Sequence, residues 1–316
     1  NWYDINKRSL PWRKKTSLKK KQYYTLVSEY MLQQTQVITV IPYFNRFIKN
    51  IPDIETLANF DNLKLIKFWE GLGYYSRVRN LKKAAQVIVK DFNKKLPSNF
   101  LELKSLPGIG DYTASAISAI AFNKPLIPLD GNIERVLKRY LYLKKENQIQ
   151  KENLIKQKKI FGTSRRSSDY AQALMELGAL ICKPKNPLCD QCPISKKCTS
   201  FIKKDFTLTK VIKKNRDKYF LLKVYKRNNK YLLVKNNRFN FLKNLNIFPM
   251  KELIKPKNFK QNMSFKMSNM NMSVKIEYNK MIKAIPYSYW IDPKNLKNYT
   301  LPTFTKKIVK YLENHK

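Results

Sequence analysis

The sequence predicts a mainly α-helical N-terminal domain that carries a loop of cysteines, followed by a smaller α+β domain. Three observations lead to this fold class. Apolar residues recur at helical spacing through roughly the first 200 residues, all four cysteines lie between Cys182 and Cys198, and alternating apolar and polar residues begin after about Phe206. With 316 residues, the chain is long enough for two domains that each bury a core.

Composition narrows the range of functions. The chain has 64 basic and 22 acidic residues, and the net charge of +42 favours a polyanionic partner such as nucleic acid over a merely solvated, compositionally biased surface. The only histidine is His315, which excludes enzymes that need a histidine base or histidine-bound zinc. All seven glycines lie at or before Gly178, and none forms a nucleotide-binding glycine motif. The longest charge-free apolar stretch, 112–123, is too short to span a bilayer, so we expect a soluble protein with no membrane partner.

The N-terminal arm, Asn1–Lys21, is basic and aromatic and contains the motif RSLPWR. Trp12 either anchors the arm on the domain or, with Leu10, walls a pocket for a flat base. In the second case Arg8 or Arg13 would reach the edge of that base.

The stretch from Tyr23 to Val37 has the spacing of an amphipathic helix. Its apolar face comprises Leu26, Val27, Tyr30 and Met31. Glu29 lies on the opposite, polar side, where a lone carboxylate is ordinarily solvated. The glutamine-rich sequence that follows offers amide groups of the kind that contact bases.

The stretch GLGYYSRVR from Gly71 places Tyr74 and Tyr75 between a glycine turn and two arginines. Paired aromatic residues next to cations suit insertion into a base stack. Alternatively the tyrosines are core residues, and we expect this of one of the two.

The motif LPGIG, from Leu106 to Gly110, lies between two predicted helices. Its glycines, Gly108 and Gly110, let the backbone approach closely, and the amides that open the second helix form an anion site. We predict a helix-hairpin-helix that binds a DNA phosphate without reading sequence, in preference to an ordinary helical turn.

Two further carboxylates stand near predicted helix ends. Asp130, in PLDGN, precedes an amphipathic helix, so Asp130 or Asn132 is by default a helix cap. A capping carboxylate can still face a cleft. Glu176 lies in a helix rich in small residues, just before the first cysteine.

The cysteine spacing is C-x6-C-x2-C-x5-C, formed by Cys182, Cys189, Cys192 and Cys198. Four thiols without histidine suit a 4Fe-4S cluster or a structural zinc ion. Zinc sites usually have two separated C-x2-C pairs, whereas one such pair between longer arms suits a larger object, so we favour the cluster. Two disulfides in so short a span are unusual for a chain with a sizeable core.

The C-terminal part has strand patterns. YFLLKVYKRNNKYLLVK reads as a β-hairpin, strand-like runs follow at 272–278 and 287–291, and LPTFTKKIVKYL reads as a closing amphipathic helix. We place the first domain at 1–205 with its cysteine loop at 182–198, a linker at 206–217 and the second domain at 218–316.

Together SEYMLQQTQV, GLGYYSRVRNL, LPGIGDYTA, PLDGN and the four-cysteine loop resemble the helix-hairpin-helix DNA glycosylases that carry an iron-sulfur cluster, and most closely the MutY family of adenine DNA glycosylases. The resemblance implies a monomeric, bacterial cytoplasmic enzyme, associated with the nucleoid, that acts in base excision repair. It implies a 4Fe-4S cofactor and, as substrate, duplex DNA with adenine opposite 8-oxoguanine or guanine.

The resemblance also implies residue roles. Glu29 would be the general acid that protonates adenine and later helps to activate water. Asp130, assisted by Asn132, would stabilise positive charge on the sugar. The positions that match the family's adenine pocket are Arg8, Leu10, Trp12, Arg13 and Glu176. The positions that match residues intercalating near the mispaired bases are Gln34 and Tyr74.

Tyr112 distinguishes this family from its nearest relatives. Endonuclease III-like enzymes, which excise oxidised pyrimidines and nick the strand, carry a lysine there, and a tyrosine cannot form the required Schiff base. We therefore expect a monofunctional glycosylase. The alternatives are such a glycosylase/lyase and a catalytically silent iron-sulfur protein that binds DNA, in which the carboxylates only cap helices.

The C-terminal domain resembles the Nudix-like domain with which this family recognises 8-oxoguanine. A hydrolytic Nudix motif needs glycines, and this domain has none, so we expect binding without hydrolysis. The family's Phe-Ser-His loop aligns with Met267, Ser268 and Asn269, which retains only the serine. We therefore expect Ser268 to contact 8-oxoguanine and the preference over guanine to be modest.

Overall fold

The computed structural model describes residues 2–144, 158–162, 164–208, 215–254, 256–267, 269–280 and 285–315. By their internal contacts, the residues form two compact units. The first unit comprises 1–61 and 76–210, and the second comprises 62–75 and 211–316. Within the described ranges, no helix combines the length and the apolar composition that crossing a membrane requires.

The first unit is helical, as the periodicity predicts. Its described α-helices are α1 (Trp2–Asn6), α2 (Leu18–Leu32), α3 (Val37–Asn50), α4 (Ile54–Asn59), α6 (Ser76–Asp91), α7 (Phe100–Ser105), α8 (Asp111–Phe122), α9 (Gly131–Tyr140), α10 (Ser167–Glu176) and α11 (Thr199–Ile202). Short 3-10 turns occur at Pro11–Arg13, Lys158–Phe161, Cys189–Gln191 and Ser195–Lys197, and a π-helical segment spans Leu177–Ile181.

Side-chain caps fix the starts of several helices in this unit. A short polar side chain before the first turn accepts a hydrogen bond from a backbone amide that has no partner within the helix. The helices α2, α4, α7 and α9 are capped in this way by Ser17, Asp53, Asn99 and Asp130.

The core of the first unit forms around α2 and α8, which pack against each other. The predicted apolar face of α2 is buried, and Val27, Tyr30 and Met31 have no solvent exposure. Small residues along α8, such as Ala116 and Ala119, are also fully buried. Because these side chains are short, α8 can contact both α2 and α10.

The expectation that helical structure continues to Val37 is wrong, because α2 ends at Leu32. Gln34 has a positive φ of 56°, which no α-helix accommodates. The buried Arg77 takes over the carbonyl groups at the end of α2, and its Nη1 donates to the oxygen of Met31 at 2.6 Å. The glutamines that follow α2 therefore lie in a turn.

The helix-hairpin-helix is confirmed in α7, the LPGIG turn and α8. Gly108 has a φ of 81°, and a Cβ placed there would lie 2.8 Å from the Cβ of Asn80. Glycine is thus required both by the backbone conformation and by the close approach to α6. The hydroxyl of Tyr30, on α2, donates to the carbonyl of Pro107 and ties the hairpin to the core.

The second unit has two β-sheets, of which one is mixed and the other is antiparallel. Its described strands are β1 (Arg216–Val224), β2 (Lys226–Arg227), β3 (Lys230–Lys235), β4 (Asn246–Ile247), β5 (Met250–Leu253), β6 (Met263–Met267), β7 (Met270–Tyr278) and β8 (Ser288–Ile291). One sheet has the order β5-β1-β7-β6 with β1 and β7 parallel, and in the other β3 pairs with β2, β4 and β8. The unit also contains α5 (Asn62–Phe68), a 3-10 segment at Pro293–Asn298 and α12 (Thr303–Asn314).

The predicted hairpin at the start of this unit is only partly correct. The turn exists, with Asn228 and Asn229 at φ of 48° and 57°, but it joins β2 to β3 and not β1 to β3. Phe220 and Leu222 on β1 are fully buried, and β1 pairs in parallel with β7 along its length. Burial of this strand in the other sheet thus outweighs local pairing. The predicted later strands and closing helix are confirmed as β7, β8 and α12.

Candidate active site

Most of the residues singled out in the sequence line one cavity of the first unit, about 560 Å³ in volume. The N-terminal arm, α2, the hairpin, the start of α9 and the end of α10 all contribute walls. The predicted site residues in these walls are Arg8, Leu10, Trp12, Arg13, Glu29, Gln34, Gly108, Gly110, Tyr112, Asp130, Asn132 and Glu176.

Glu29 projects from α2 and is 5% exposed, so it is not the solvated residue that a polar helix face suggests. The pKa of its carboxyl is raised to about 7, because burial and, less strongly, the charge of Asp130 outweigh the opposing hydrogen bond from the Tyr112 hydroxyl. Near neutral pH a substantial fraction of Glu29 therefore holds a proton that it can give up.

Asp130 caps α9 and also faces the same cavity, so the cap and the cleft-facing carboxylate are one and the same residue. Its Oδ1 accepts from the amides of Asn132 at 3.0 Å and Ile133 at 2.7 Å, and its Oδ2 accepts from the Asn132 side chain at 3.0 Å. Burial raises the pKa of Asp130, and these hydrogen bonds oppose the rise. They also fix the orientation of the carboxyl in the cavity wall.

Tyr112 lies in the first turn of α8 and donates its hydroxyl hydrogen to Glu29. Burial and the nearby carboxylates raise its pKa well above the usual value, so the hydroxyl stays protonated and remains a donor. The contact joins the hairpin's second helix to the carboxyl on α2.

Glu176, at the end of α10, is neutralised by two arginines of the N-terminal arm. Arg8 donates to both of its carboxylate oxygens, at 2.7 and 2.9 Å, and Arg13 donates to one at 2.8 Å. Burial would raise the pKa of Glu176, but the arginines outweigh it and hold the pKa below the usual value. The Nε of Arg13 is buried without an acceptor among the described residues, so the cluster offers a free donor.

Leu10 and Trp12 form the apolar side of this part of the cavity. Leu10 is buried, and the Trp12 ring packs edge-on against Phe44 at 5.3 Å between ring centroids. The anchor and the pocket interpretations of Trp12 are therefore compatible, because the ring does both.

The hairpin and the turn after α2 form one edge of the cavity. The Gln33 side chain donates to the carbonyl of Gly108 at 3.2 Å, and Gln34 follows in the strained turn that Arg77 supports. Gly110 precedes the first turn of α8. Leu106 does not reach the cavity wall and is buried in the core beneath the hairpin.

The four cysteines line a second cavity, together with residues of α9, the π-helical segment and α11. Burial and the proximity of the other three thiols raise the pKa of Cys189 to about 11. Within the described ranges, no three His, Cys, Asp or Glu side chains converge closely enough to hold one metal ion. The four thiols thus share the lining of one cavity.

Two arginines that sequence reasoning missed connect α9 to this loop. Arg135 donates to Asn132 Oδ1 at 2.9 Å and to the Cys182 carbonyl at 2.7 Å. Arg139 donates to the Lys183 carbonyl at 2.6 Å and lies 3.5 Å from the Cys182 sulfur. Their spacing of four residues on α9 was the only signal, and it is common on solvated helices.

Close packing strengthens the connection between α9 and the cysteine loop. A Cβ at Gly178 would lie 2.6 Å from the Cβ of Asn132, so only glycine lets the π-helical segment approach the start of α9. The segment that leads into the cysteine loop is therefore held directly against the start of α9, which Asp130 caps.

Among the predicted residues, Tyr74 does not line the first cavity. Tyr74 belongs to the second unit and is 43% exposed, whereas Tyr75 is buried, which confirms that one tyrosine is a core residue. Ser268 lies outside the described residues. Its neighbours Met267 and Asn269 lie at the end of β6 and just before β7.

The first cavity therefore contains two carboxyl groups, that of Glu29, which can donate a proton, and that of Asp130. It also has an apolar face with cationic donors, which suits a flat, polar-edged ring. Such a pair can break a glycosidic bond, because one group protonates the leaving group and the other stabilises the cation left behind.

Comparison with known proteins agrees with this geometry. The family described as "HhH-GPD superfamily base excision DNA repair protein" matches residues 27–159. The chain is 36% identical over 262 residues to the adenine DNA glycosylase of Buchnera aphidicola subsp. Schizaphis graminum, a match that covers 79% of this chain and 72% of the relative. The corresponding protein of subsp. Baizongia pistaciae is 42% identical over 203 residues, which covers 64% of this chain and 57% of that relative.

Among solved structures, a thermostable thymine-DNA glycosylase superposes with a TM-score of 0.56 at 26% identity. The match covers 64% of this chain and 92% of that protein. The described residues thus show an HhH-GPD fold followed by a sheet-containing C-terminal region. Because a thymine-DNA glycosylase and adenine DNA glycosylases are both similar to this chain, the fold alone does not determine which base is removed.

Proposed function

Because the chain belongs to the adenine DNA glycosylase family, we propose that it hydrolyses the N-glycosidic bond of adenine in duplex DNA, where adenine is mispaired with guanine or 8-oxoguanine. One observation carries the proposal. The buried carboxyl of Glu29, with a pKa raised to about 7, shares a cavity with the carboxyl of Asp130. This is the acid and carboxylate pair that glycosidic bond cleavage requires.

The reaction begins with an adenine nucleotide flipped out of the duplex into the cavity. Glu29 donates its proton to a ring nitrogen of adenine, which makes the base a better leaving group. The bond between the sugar C1′ and adenine N9 then breaks, and both of its electrons leave with the base. The sugar is left as an oxocarbenium ion.

Asp130 stabilises that positive charge, and Asn132 and the amides at the start of α9 keep its carboxylate in position. Water adds to C1′ and gives up a proton to the Glu29 carboxylate. The products are free adenine and an abasic site, and Glu29 regains its starting protonation state.

Tyr112 supports the acid and also limits the chemistry. Its hydroxyl hydrogen bond stabilises the ionised form of Glu29, which exists between the two proton transfers. A phenol cannot form a Schiff base with the abasic sugar. The enzyme is therefore a glycosylase without efficient strand cleavage.

The adenine pocket is formed by Leu10 and Trp12 against the faces of the base and by Arg8, Arg13 and Glu176 at its edge. Paired with two arginines, Glu176 fixes the direction of their remaining donors. The Nε of Arg13 is the buried donor that a bound base would satisfy.

DNA is held by further contacts at the rim of the cavity and beyond it. The amides of the hairpin around Gly108 and Gly110 bind a backbone phosphate, and the net charge of +42 adds attraction that does not depend on sequence. Gln34 and Tyr74 insert among the bases. Both have positive φ angles, of 56° and 49°, which present their side chains on tight turns.

We further infer that Cys182, Cys189, Cys192 and Cys198 hold a 4Fe-4S cluster. Four thiols in one cavity wall, with one C-x2-C pair between two longer arms, suit a multi-iron cluster better than a single zinc ion. When bound, the cluster would supply structural cross-links and no step of the hydrolysis. Arg135 of α9, which donates to the Cys182 carbonyl, also donates to the side chain of Asn132, and Asn132 in turn donates to Asp130.

We propose that residues 1–205 act as the catalytic domain, 206–217 as a linker and 218–316 as a Nudix-like recognition domain. In this proposal Ser268 contacts 8-oxoguanine. Its support is the sequence resemblance of residues 267–269 and the position of their described members, with Met267 at the end of β6 and Asn269 just before β7.

Single-turnover incubation with duplexes that differ at one site tests the proposal. We expect adenine release opposite 8-oxoguanine and opposite guanine, with intact strands until alkali is added, and no action on thymine glycol. Excision of thymine glycol, or strand cleavage without alkali, would favour the glycosylase/lyase. Binding to every duplex without release of any base would favour a catalytically silent protein.

A further inference from the structure

The segment 62–75 precedes α6 of the first unit in sequence but belongs by its contacts to the second unit. It consists of α5 and the glycine-rich turn that carries Tyr74. Four residues before Tyr74, the carboxylate of Glu70 is 11% exposed and surrounded by groups of the C-terminal part of the chain.

The carboxylate of Glu70 accepts hydrogen bonds from side chains and backbone of the second unit. Its Oε1 accepts from Lys306 Nζ, on α12, at 2.7 Å and from the Leu301 amide at 3.2 Å, and its Oε2 accepts from Lys67 at 2.8 Å. Burial would raise the pKa of Glu70, but the lysines outweigh it and hold the pKa below the usual value.

Lys67 adds a second tie between this segment and the C-terminal residues. Its ammonium group donates to the carbonyls of Lys297 at 3.0 Å and Tyr299 at 3.3 Å. An ammonium group with two carbonyl acceptors and one carboxylate is a partly buried network and not an isolated surface pair.

The turn at residues 69–73 connects Glu70 to Tyr74 through contacts of Trp69. Trp69 is fully buried, and its indole nitrogen donates to the carbonyl of Gly73 at 3.1 Å. The amide of Leu72 donates to the Trp69 carbonyl at 3.0 Å. Tyr74 is thus held at a positive φ of 49° by a turn whose base is fixed through Glu70.

We propose that the C-terminal part of the chain acts on DNA through Tyr74, because the contacts of Glu70 with Lys306 and Leu301 set the position of the tyrosine. The inference rests on the proposed function, in that Tyr74 inserts among the bases. It adds Glu70 to that function as a positioning residue, through which the C-terminal region affects DNA binding by Tyr74.

The first test needs no DNA. Hydrogen exchange in the full-length chain should quicken by about fivefold or more at the amides of residues 71–75 in both Glu70→Gln and Lys306→Met. The matched controls are Glu55→Gln, which removes a carboxylate between two lysines elsewhere, and Lys310→Met, an exposed lysine on the same helix. Unchanged exchange in both test variants would overturn the inference.

The second test is a double-mutant cycle on duplex affinity at constant salt. Tyr74→Ala should weaken binding about tenfold, the effect of one lost aromatic stack, and Glu70→Gln about threefold. In the Tyr74→Ala background, Glu70→Gln should have no further effect, since both act through one side chain. Glu55→Gln controls for the gain of one positive charge.

The outcomes separate this inference from the proposed function. Additive effects of Glu70→Gln and Tyr74→Ala would overturn the inference, and so would an unchanged affinity in Tyr74→Ala. Adenine release by the unmodified chain is measured independently. Its absence would refute the proposed function, whereas release with an additive cycle would refute only the role of Glu70.

Discussion

Replacing Glu29 by glutamine is expected to stabilise the folded chain at alkaline pH, although it removes the proposed catalytic acid. Glu29 is 5% exposed, and burial raises the pKa of its carboxyl from 4.5 to about 7. The difference corresponds to roughly 3 kcal/mol of unfolding free energy once the group is ionised in both states. Glutamine has nearly the same shape, can still accept from Tyr112 and never ionises.

The direction in which stability changes with pH depends on whether Glu29 is protonated in the folded and in the unfolded chain. Below pH 4.5 the carboxyl is protonated in the folded and the unfolded chain, and the folded state bears no cost. Between pH 4.5 and about 7 the unfolded chain loses the proton while the folded chain keeps it, so stability falls as the pH rises. Above pH 7 the full cost of a buried carboxylate is present.

Urea denaturation at pH 5 and pH 8.5 measures this difference. We expect the unfolding free energy of Glu29→Gln to exceed that of the parent chain by about 3 kcal/mol at pH 8.5 and by just under 1 kcal/mol at pH 5. Glu55→Gln, which removes an exposed carboxylate, should show no such gain. Equal stability of Glu29→Gln and the parent at pH 8.5 would refute the assignment of a buried carboxyl that resists ionisation.

Three further outcomes follow from the same contacts. Tyr112→Phe removes a hydrogen bond that favours ionised Glu29, so the alkaline limb of the pH profile of the single-turnover rate should move up by about one pH unit. The control Tyr23→Phe, which loses a buried hydroxyl contact on α2, the helix of Glu29, should leave that limb in place. Gly108→Ala should lower the unfolding free energy by about 1–2 kcal/mol and weaken duplex binding, and an unchanged affinity would count against the hairpin's role. Affinity for undamaged duplex should fall steeply with salt, and a flat dependence would show that the charge is compositional bias alone.

Local sequence patterns predicted the elements that local physics determines. The apolar face of α2, the LPGIG turn and the burial of one of two adjacent tyrosines are confirmed, because spacing and backbone preference act over a few residues. The motif order also predicted the family, which the relatives confirm.

Properties that depend on distant residues were not predictable. An amphipathic pattern places Glu29 on a polar face, but that face closes on Tyr112 and Asp130, which are remote in sequence, and the burial follows from them. Arg135 resembles any arginine on a solvated helix until the fold places Asn132 and Cys182 beside it. Likewise β1 pairs with β7 and not with β3, the strand predicted to be its hairpin partner, because β7 pairs with β1 over its whole length.

The most direct test of the central claim is the single-turnover rate of adenine release by Glu29→Gln, measured with a duplex that carries adenine opposite guanine. The amide cannot donate the proton that the leaving base needs, so we predict a loss of at least about 100-fold with duplex affinity nearly unchanged. Release by Glu29→Gln at close to the parent rate, with the same affinity, would contradict the assignment of Glu29 as the acid.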